Sequence, residues 1–372
     1  MRIAVNTRFL LPHKMEGFGW FTYEVVKRMV ENHPEHTFIF FFDRPYEQRF
    51  IFADNVIPVV LRPPARHPIL FYIWFEISVK RALKKYRADL FFSPDGYLSL
   101  GTDIPQYPVI HDLNFEHYPH DLPFKHRIYY RKFFPEFAKK ARKIITVSHY
   151  SKQDITDTYG IPPEKIEVAW NGASEKFVPL AESVKQQVRS RYTEGQRYFV
   201  FIGALHPRKN IGRLLQAFQE YCDNGGSTDL LIIGENLFKK QPDFLKGINL
   251  EVRKRIRFTG HLSLEELVEA TASAEALVFV PYFEGFGIPV VEAMRCGIPV
   301  IAGNLTSLPE VAGDAALYVD PYNVSEIAGA MQRIEADNGL WDELSAKGLQ
   351  RSRIFSWDKT AEKVWEVISS EK

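Results

Sequence analysis

Residues 282–301 read YFEGFGIPVVEAMRCGIPVI and follow the apolar run ALVFVP at 276–281. The run has strand length and leads into Gly285-Phe286-Gly287. Pro289 then falls near the first position of a helix, where its fixed φ is already helical and its missing N–H costs nothing. Gly297 ends that helix within about two turns, and residues 299–302 start another strand. Strand, loop, helix and strand in this order predict one step of a parallel sheet. Glycines before a helix let the backbone approach an anion, which the free N–H groups and the helix dipole stabilise. Glu284 precedes this phosphate cradle, and Glu292 lies one turn into the helix. Carboxylates accept hydrogen bonds from sugar hydroxyls, so two of them flanking the cradle point to a nucleotide sugar.

The same rhythm extends in both directions. In the second half, strands are predicted at 198–203, 230–234, 256–259, 276–281, 299–302 and 317–319, with helices at 211–221, 264–272, 289–296 and 324–335. In the first half, strands are predicted at 3–7, 38–42, 56–61, 90–93, 107–111, 144–148 and 166–169. Helices fit at 20–30, 70–86, 125–141 and 150–158. Several strands are continuously apolar, as strands buried on both faces are. Two β/α series in succession predict an α/β fold of two doubly wound domains, 1–175 and 176–355. The polar stretch 172–195, with Pro179 near its start, is the expected junction. An amphipathic helix at 356–372 is expected to pack back on the first domain.

Composition narrows the function classes. The 372 residues carry 47 Lys+Arg against 46 Asp+Glu, a net charge of +1, without the basic excess that nucleic acid binding needs. Two cysteines, Cys222 and Cys296, leave no room for a disulfide framework. No apolar run of about 18 residues spans a bilayer, and the start MRIAVNTRFLLPHK is not a signal peptide. These features predict a cytoplasmic protein. Residues 1–175 hold 24 Lys+Arg and 20 acids, net +4; the remainder holds 23 and 26, net −3. Most of the excess lies from Phe124 to Lys143, FKHRIYYRKFFPEFAKKARK, with eight basic residues, one acid and six aromatics. Either the aromatics face the core of an amphipathic helix, or the segment meets anionic lipid headgroups or a polyanionic acceptor on the inner face of a membrane.

Other candidates sit where strands end. In GALHPRKNIG, residues 203–212, Arg208 and Lys209 fall on the turn before a helix that Asn210 is expected to cap. Two cations at the carboxyl end of a parallel sheet suit a diphosphate leaving group. Gly17-Phe18-Gly19 precedes a helix starting near Trp20. His111 ends the strand predicted at 107–111, the edge at which open α/β domains bind ligands. His111, His117 and His120 match no tetrahedral metal spacing, and no Gly-x-Ser-x-Gly elbow marks a serine hydrolase.

Taken together, EGFGIPVVEAMRCGIPVI, LHPRKNIGRLLQAF (205–218), residues 145–174, TSLPEVAGDAALYVDPYN (306–323) and HDLNFEHYP (111–119) resemble glycosyltransferase family 4. These are retaining enzymes of the GT-B fold, and the likeness is strongest to mannosyltransferase-type bacterial members. The glutamate pair is similar to that family's E-x7-E motif. The resemblance implies two Rossmann-like domains facing a central cleft, the first on the acceptor side and the second binding the nucleotide sugar. It implies that Glu284 contacts the donor sugar, Glu292 the ribose, and Arg208 and Lys209 the diphosphate. The backbones of Gly17, Gly19, Gly285, Phe286, Gly287 and Ile288 would assist. His261 and Leu262 would border the base, and His111 would orient sugar and phosphate. Many members place an arginine at or near Ala204, and its absence here leaves the diphosphate to Arg208 and Lys209.

The implied activity is retaining transfer of a hexose, mannose from GDP-mannose first, to a glycan or lipid-linked acceptor in surface polysaccharide synthesis, with no cofactor and no metal. The alternatives are a UDP-sugar-dependent glucosyl or N-acetylhexosaminyl transferase of the same fold and a non-catalytic sugar-nucleotide-binding partner subunit. A pyridoxal-dependent phosphorylase would need a Schiff-base lysine that nothing in the sequence nominates.

Overall fold

Apolar runs too continuous for a half-exposed strand become parallel strands with helices on both faces. The computed structural model describes residues 1–11, 15, 17–235 and 244–370. One unit comprises Met1–Gly172 with Ser356–Lys372, and the other Ala173–Phe355.

In the first unit, β1 (Arg2–Asn6), β2 (Thr37–Phe42), β3 (Val56–Val60), β4 (Leu90–Ser93) and β5 (Gln106–Pro108) form a parallel sheet in the order β3-β2-β1-β4-β5. In β2, TFIFFF, every residue after Thr37 is buried, because successive side chains enter opposite faces and helices cover both. β6 (Ile144–Thr146) and β7 (Ile166–Val168) form a separate parallel pair, tied to the main sheet through a Val109–Ile145 bridge. Helix Trp357–Ser369 belongs to this unit and packs on helix Gly17–Asn32. Trp365 stacks on His33 at 3.7 Å, Asp358 pairs with Arg28, and Val364 and Ile368 are buried.

In the second unit, β8 (Tyr198–Ile202), β9 (Asp229–Ile233), β10 (Ile256–Gly260), β11 (Ala276–Phe279), β12 (Val300–Gly303) and β13 (Ala316–Val319) form a six-stranded parallel sheet. The strand order is β10-β9-β8-β11-β12-β13. Each sheet therefore reverses its winding once, between β1 and β4 and between β8 and β11. At such a switch point the loops leaving the two central strands diverge, and a crevice opens at their carboxyl ends.

Several sequence expectations need correction. The stretch 172–195 is not a linker throughout: residues Glu182–Thr193 form a helix of the second unit. Its polar composition hides it, since only Val188 and Thr193 are buried. The strand expected at 107–111 stops at Pro108, so His111 lies in the loop beyond it. The helix expected near Trp20 starts at Gly17, which puts both glycines in its first turn. The helix expected at 70–86 runs through a widened turn at Trp74–Val79. Asn338–Ser352 is also helical, with only Leu344, Gly348 and Ser352 buried, too sparse a stripe to announce itself.

Candidate functional site

The loop leaving β8 carries the cations. Arg208 and Lys209 share one tight turn, Pro207–Lys209, and Lys209 is buried with its ammonium 4.7 Å from the centre of the Phe279 ring. Asn210 stands at the N-cap position expected from sequence, but its side chain makes no capping hydrogen bond to the helix. Its backbone is left-handed, at φ 62°, a conformation asparagine tolerates better than most residues. Its amide nitrogen donates instead to the carbonyls of Val280 (2.9 Å) and Pro321 (2.6 Å). The turn is thereby pinned to the loop leaving β11, the neighbouring strand across the switch point, and to the loop leaving β13.

That loop carries the carboxylate. Arg208 Nη1 donates to Glu284 Oε2 at 2.8 Å and to the Phe283 carbonyl at 3.2 Å, and the Lys209 ammonium donates to the same Oε2. Burial alone would raise the Glu284 pKa, but the two cations outweigh it and hold the carboxyl below its usual range. The Glu284 amide donates to Thr306 Oγ1 (3.3 Å), and its carbonyl accepts from Ser307 Oγ (2.8 Å). Thr306 and Ser307 are positioning residues that the sequence reading did not single out. Thr306 sits at φ 58°, and no pattern of residue types announces that.

Gly287, at φ 98°, starts helix Ile288–Arg295 with Pro289 in its first turn. That conformation demands glycine; a Cβ there would in addition press on the Leu308 side chain, 2.7 Å from its Cδ2. The amides of Gly285, Phe286, Gly287 and Ile288 lead into this helix end. The Phe286 side chain is not part of any anion site: it is buried edge-on against Phe355, 5.5 Å between ring centres. Glu292 lies one turn inside the helix, and burial pushes its carboxyl up to about 7. No cation or hydrogen-bond donor among the described residues compensates that burial, which suits a carboxylate whose partners are hydroxyls of a bound molecule. His261 and Leu262 follow β10 at the same carboxyl edge, His261 exposed and Leu262 half-buried. They lie at the sheet's outer strand, two strands away from β8.

The first unit gathers His111 and the glycine segment at its own switch point. The His111 ring packs edge-on against Phe18 and Phe21, 4.8 and 4.9 Å between centres, both on the helix that begins at Gly17. Gly19 is a packing requirement: a Cβ there would lie 2.8 Å from the Phe9 carbonyl oxygen. His111 Nε2 is 2.8 Å from the carbonyl of Pro94, which can only accept, so Nε2 carries the proton. Burial lowers the His111 pKa and keeps the ring neutral, with Nδ1 as an acceptor. Beside it is a buried ion pair that sequence reasoning missed. Arg8 Nε donates to Asp95 Oδ2 at 2.5 Å, Asn6 Nδ2 donates to Asp95 Oδ1 at 2.7 Å, and the guanidinium lies 4.1 Å from the centre of Tyr97. The pair joins the loops leaving β1 and β4.

A two-unit α/β fold with a cationic turn, a buried carboxylate and a helix start at one switch point defines a nucleotide-sugar-dependent transferase of GT-B type. Comparison with known proteins agrees. Residues 184–351 match the family described as glycosyl transferases group 1, and residues 15–176 match Glycosyltransferase Family 4. The O-antigen chain mannosyltransferase RfbU of Salmonella typhimurium (strain LT2) is 30% identical over 284 residues, 76% of this chain and 75% of that one. The O-antigen chain mannosyltransferase B of Escherichia coli is 28% identical over 300 residues, 79% and 78% of the two chains. The crystal structure of Anabaena HepE in complex with UDP-glucose superposes with a TM-score of 0.78 at 17% identity, covering 100% of both chains. The chain belongs to glycosyltransferase family 4.

The burial of Glu292 has a pH signature. Its carboxyl titrates near 4.5 when unfolded and at about 7 when folded. Between those values the folded chain holds the extra proton, so stability falls as pH rises through that window and the loss is complete above it. Glu292→Gln is expected to make the ligand-free second unit more stable than the parent at pH 8, by up to about 3 kcal/mol, and by much less at pH 5. Urea unfolding at the two pH values checks this. An equal difference at both would contradict it.

Proposed function

We propose that this chain is a retaining hexosyltransferase that moves mannose from GDP-mannose onto a glycan or lipid-linked acceptor in surface polysaccharide synthesis. The observation that carries the reading is the convergence of Arg208 and Lys209 on Glu284 Oε2 beside the start of helix Ile288–Arg295. The choice of mannose is supported by relatives named as O-antigen mannosyltransferases.

The chemistry follows from the leaving group. Breaking the anomeric C–O bond builds positive charge on the sugar ring and negative charge on the departing phosphate. Arg208, Lys209 and the amides leading into the helix are fixed beforehand, so they stabilise that charge without reorganising. In this reading they do the work that a divalent ion does in other transferases. Glu284 receives hydroxyls of the donor sugar and Glu292 those of the ribose. Neutral His111 offers Nδ1 to a sugar hydroxyl. The acceptor attacks from the face that the phosphate leaves, and a phosphate oxygen takes the acceptor's proton, so configuration is retained. His261 and Leu262 are assigned to the nucleobase and the Gly17 and Gly19 backbone to phosphate.

Thermal shift with GDP, UDP, ADP and dTDP, each with EDTA present, tests this. A ligand at 100 times its Kd stabilises the fold by about 2.7 kcal/mol. GDP alone is expected to raise the melting temperature. A shift with UDP alone would discard mannose and keep the transferase, and no shift with any nucleotide would contradict the site.

We also propose that the first unit meets an anionic membrane surface. Helix Phe124–Lys140 divides its large apolar side chains: Tyr129, Phe134 and Phe137 are buried, whereas Phe124 is 64% and Ile128 51% exposed. Lys125, Arg131 and Lys132 are exposed with them. Helix Pro68–Ile73 packs alongside through Phe71–Tyr129 and Tyr72–Phe133 ring contacts and adds Ile69, 65% exposed. Exposed apolar side chains set among cations fit lipid headgroups. Co-sedimentation is expected with vesicles rich in phosphatidylglycerol and not with phosphatidylcholine, reduced severalfold by Phe124→Ala with Ile128→Ala. Equal partitioning on both lipids, or none, would contradict the proposal.

A further inference from the structure

We infer that Glu284 is an exchangeable counter-ion that lets the site tell a nucleotide sugar from the bare nucleoside diphosphate. This rests on the reading of Arg208 and Lys209 as the diphosphate clamp. In the structure both cations bond one oxygen of Glu284, so the groups assigned to the diphosphate are already engaged by a carboxylate. That carboxylate is well held as a backbone unit, by Thr306 and Ser307, but its side chain is tied only to the two cations among the bonds described. Lys209 is buried, and only 23% of the Arg208 side chain and 13% of the Glu284 side chain are exposed. A second anion therefore cannot join the cations at no cost: at this range two anions in a largely dehydrated site repel strongly, and a like charge beside Glu284 disfavours its ionised form.

Donor binding then becomes an exchange. The diphosphate takes Arg208 and Lys209, and Glu284 must find other hydrogen-bond donors. A nucleotide sugar brings them, because its hydroxyls arrive next to the displaced carboxylate. A nucleoside diphosphate brings none to that place, its ribose hydroxyls being assigned to Glu292, so Glu284 competes for the cations and lowers the affinity of the spent nucleotide. The same residue thus favours donor over product and speeds product departure after transfer. Losing a charge-assisted pair at a buried cation is large enough to register as a tenfold or greater change in affinity.

The test uses inorganic pyrophosphate, GDP, UDP and GDP-mannose on the full chain and on Glu284→Gln, which keeps the size and one acceptor oxygen and removes the charge. Calorimetry is expected to show pyrophosphate and the nucleoside diphosphate binding Glu284→Gln at least about tenfold more tightly than the parent. The preference for nucleotide sugar over nucleoside diphosphate should shrink by a similar factor. Glu284→Ala, with the same expected gain for pyrophosphate, guards against a fold defect in the first variant, and circular dichroism verifies both. Parent binding with unchanged or weaker pyrophosphate affinity in both variants would overturn the exchange and leave the clamp standing. Absence of any diphosphate binding by the parent would overturn the clamp and the exchange together.

Discussion

The candidate site of the second unit is organised around one buried contact, a carboxylate oxygen shared by an arginine and a lysine from a different loop. The two loops come from β8 and β11, adjacent strands at which the sheet reverses its winding. Asn210 clamps the cationic turn to the carbonyls of Val280 and Pro321, and Thr306 and Ser307 hold the Glu284 backbone. Breaking one partner of such a buried group leaves the others uncompensated, which costs far more than the intact pair is worth. The cluster is therefore better understood as preorganised charge than as a source of stability.

The first unit has a parallel device at its own switch point. Arg8, Asp95 and Asn6 tie the loops leaving β1 and β4, and Pro94, in the second of these loops, fixes the tautomer of His111. A neutral imidazole with a defined acceptor nitrogen recognises a hydroxyl without adding a charge. Under the proposed function, the cations stand where phosphate charge would grow, and the neutral acceptor where a sugar would need orientation.

The sheets were legible in the sequence because strands such as TFIFFF and DLLII are buried on both faces and read as unbroken apolar runs. The helix start at Ile288 was legible because Gly287, Pro289 and Gly297 each carry a backbone constraint in their residue type. Helices Glu182–Thr193 and Asn338–Ser352 were not, since each buries only two or three residues and offers no stripe. Arg208, Lys209 and Glu284 stood out by motif, but their mutual contact did not: residues about 75 apart in sequence meet only because the strand order brings their loops together. The left-handed backbones of Asn210 and Thr306 and the Arg8–Asp95 pair were hidden for the same reason, being products of tertiary placement.

The most direct test of the diphosphate site is a crystal structure of the protein with a non-reactive GDP-mannose analogue, grown in the presence of EDTA. The diphosphate is expected within hydrogen-bonding distance of Arg208 Nη1, Lys209 Nζ and the amides at the start of helix Ile288–Arg295, with the ribose on Glu292. A diphosphate bound away from that turn, or ordered only once a divalent ion is supplied, would contradict it.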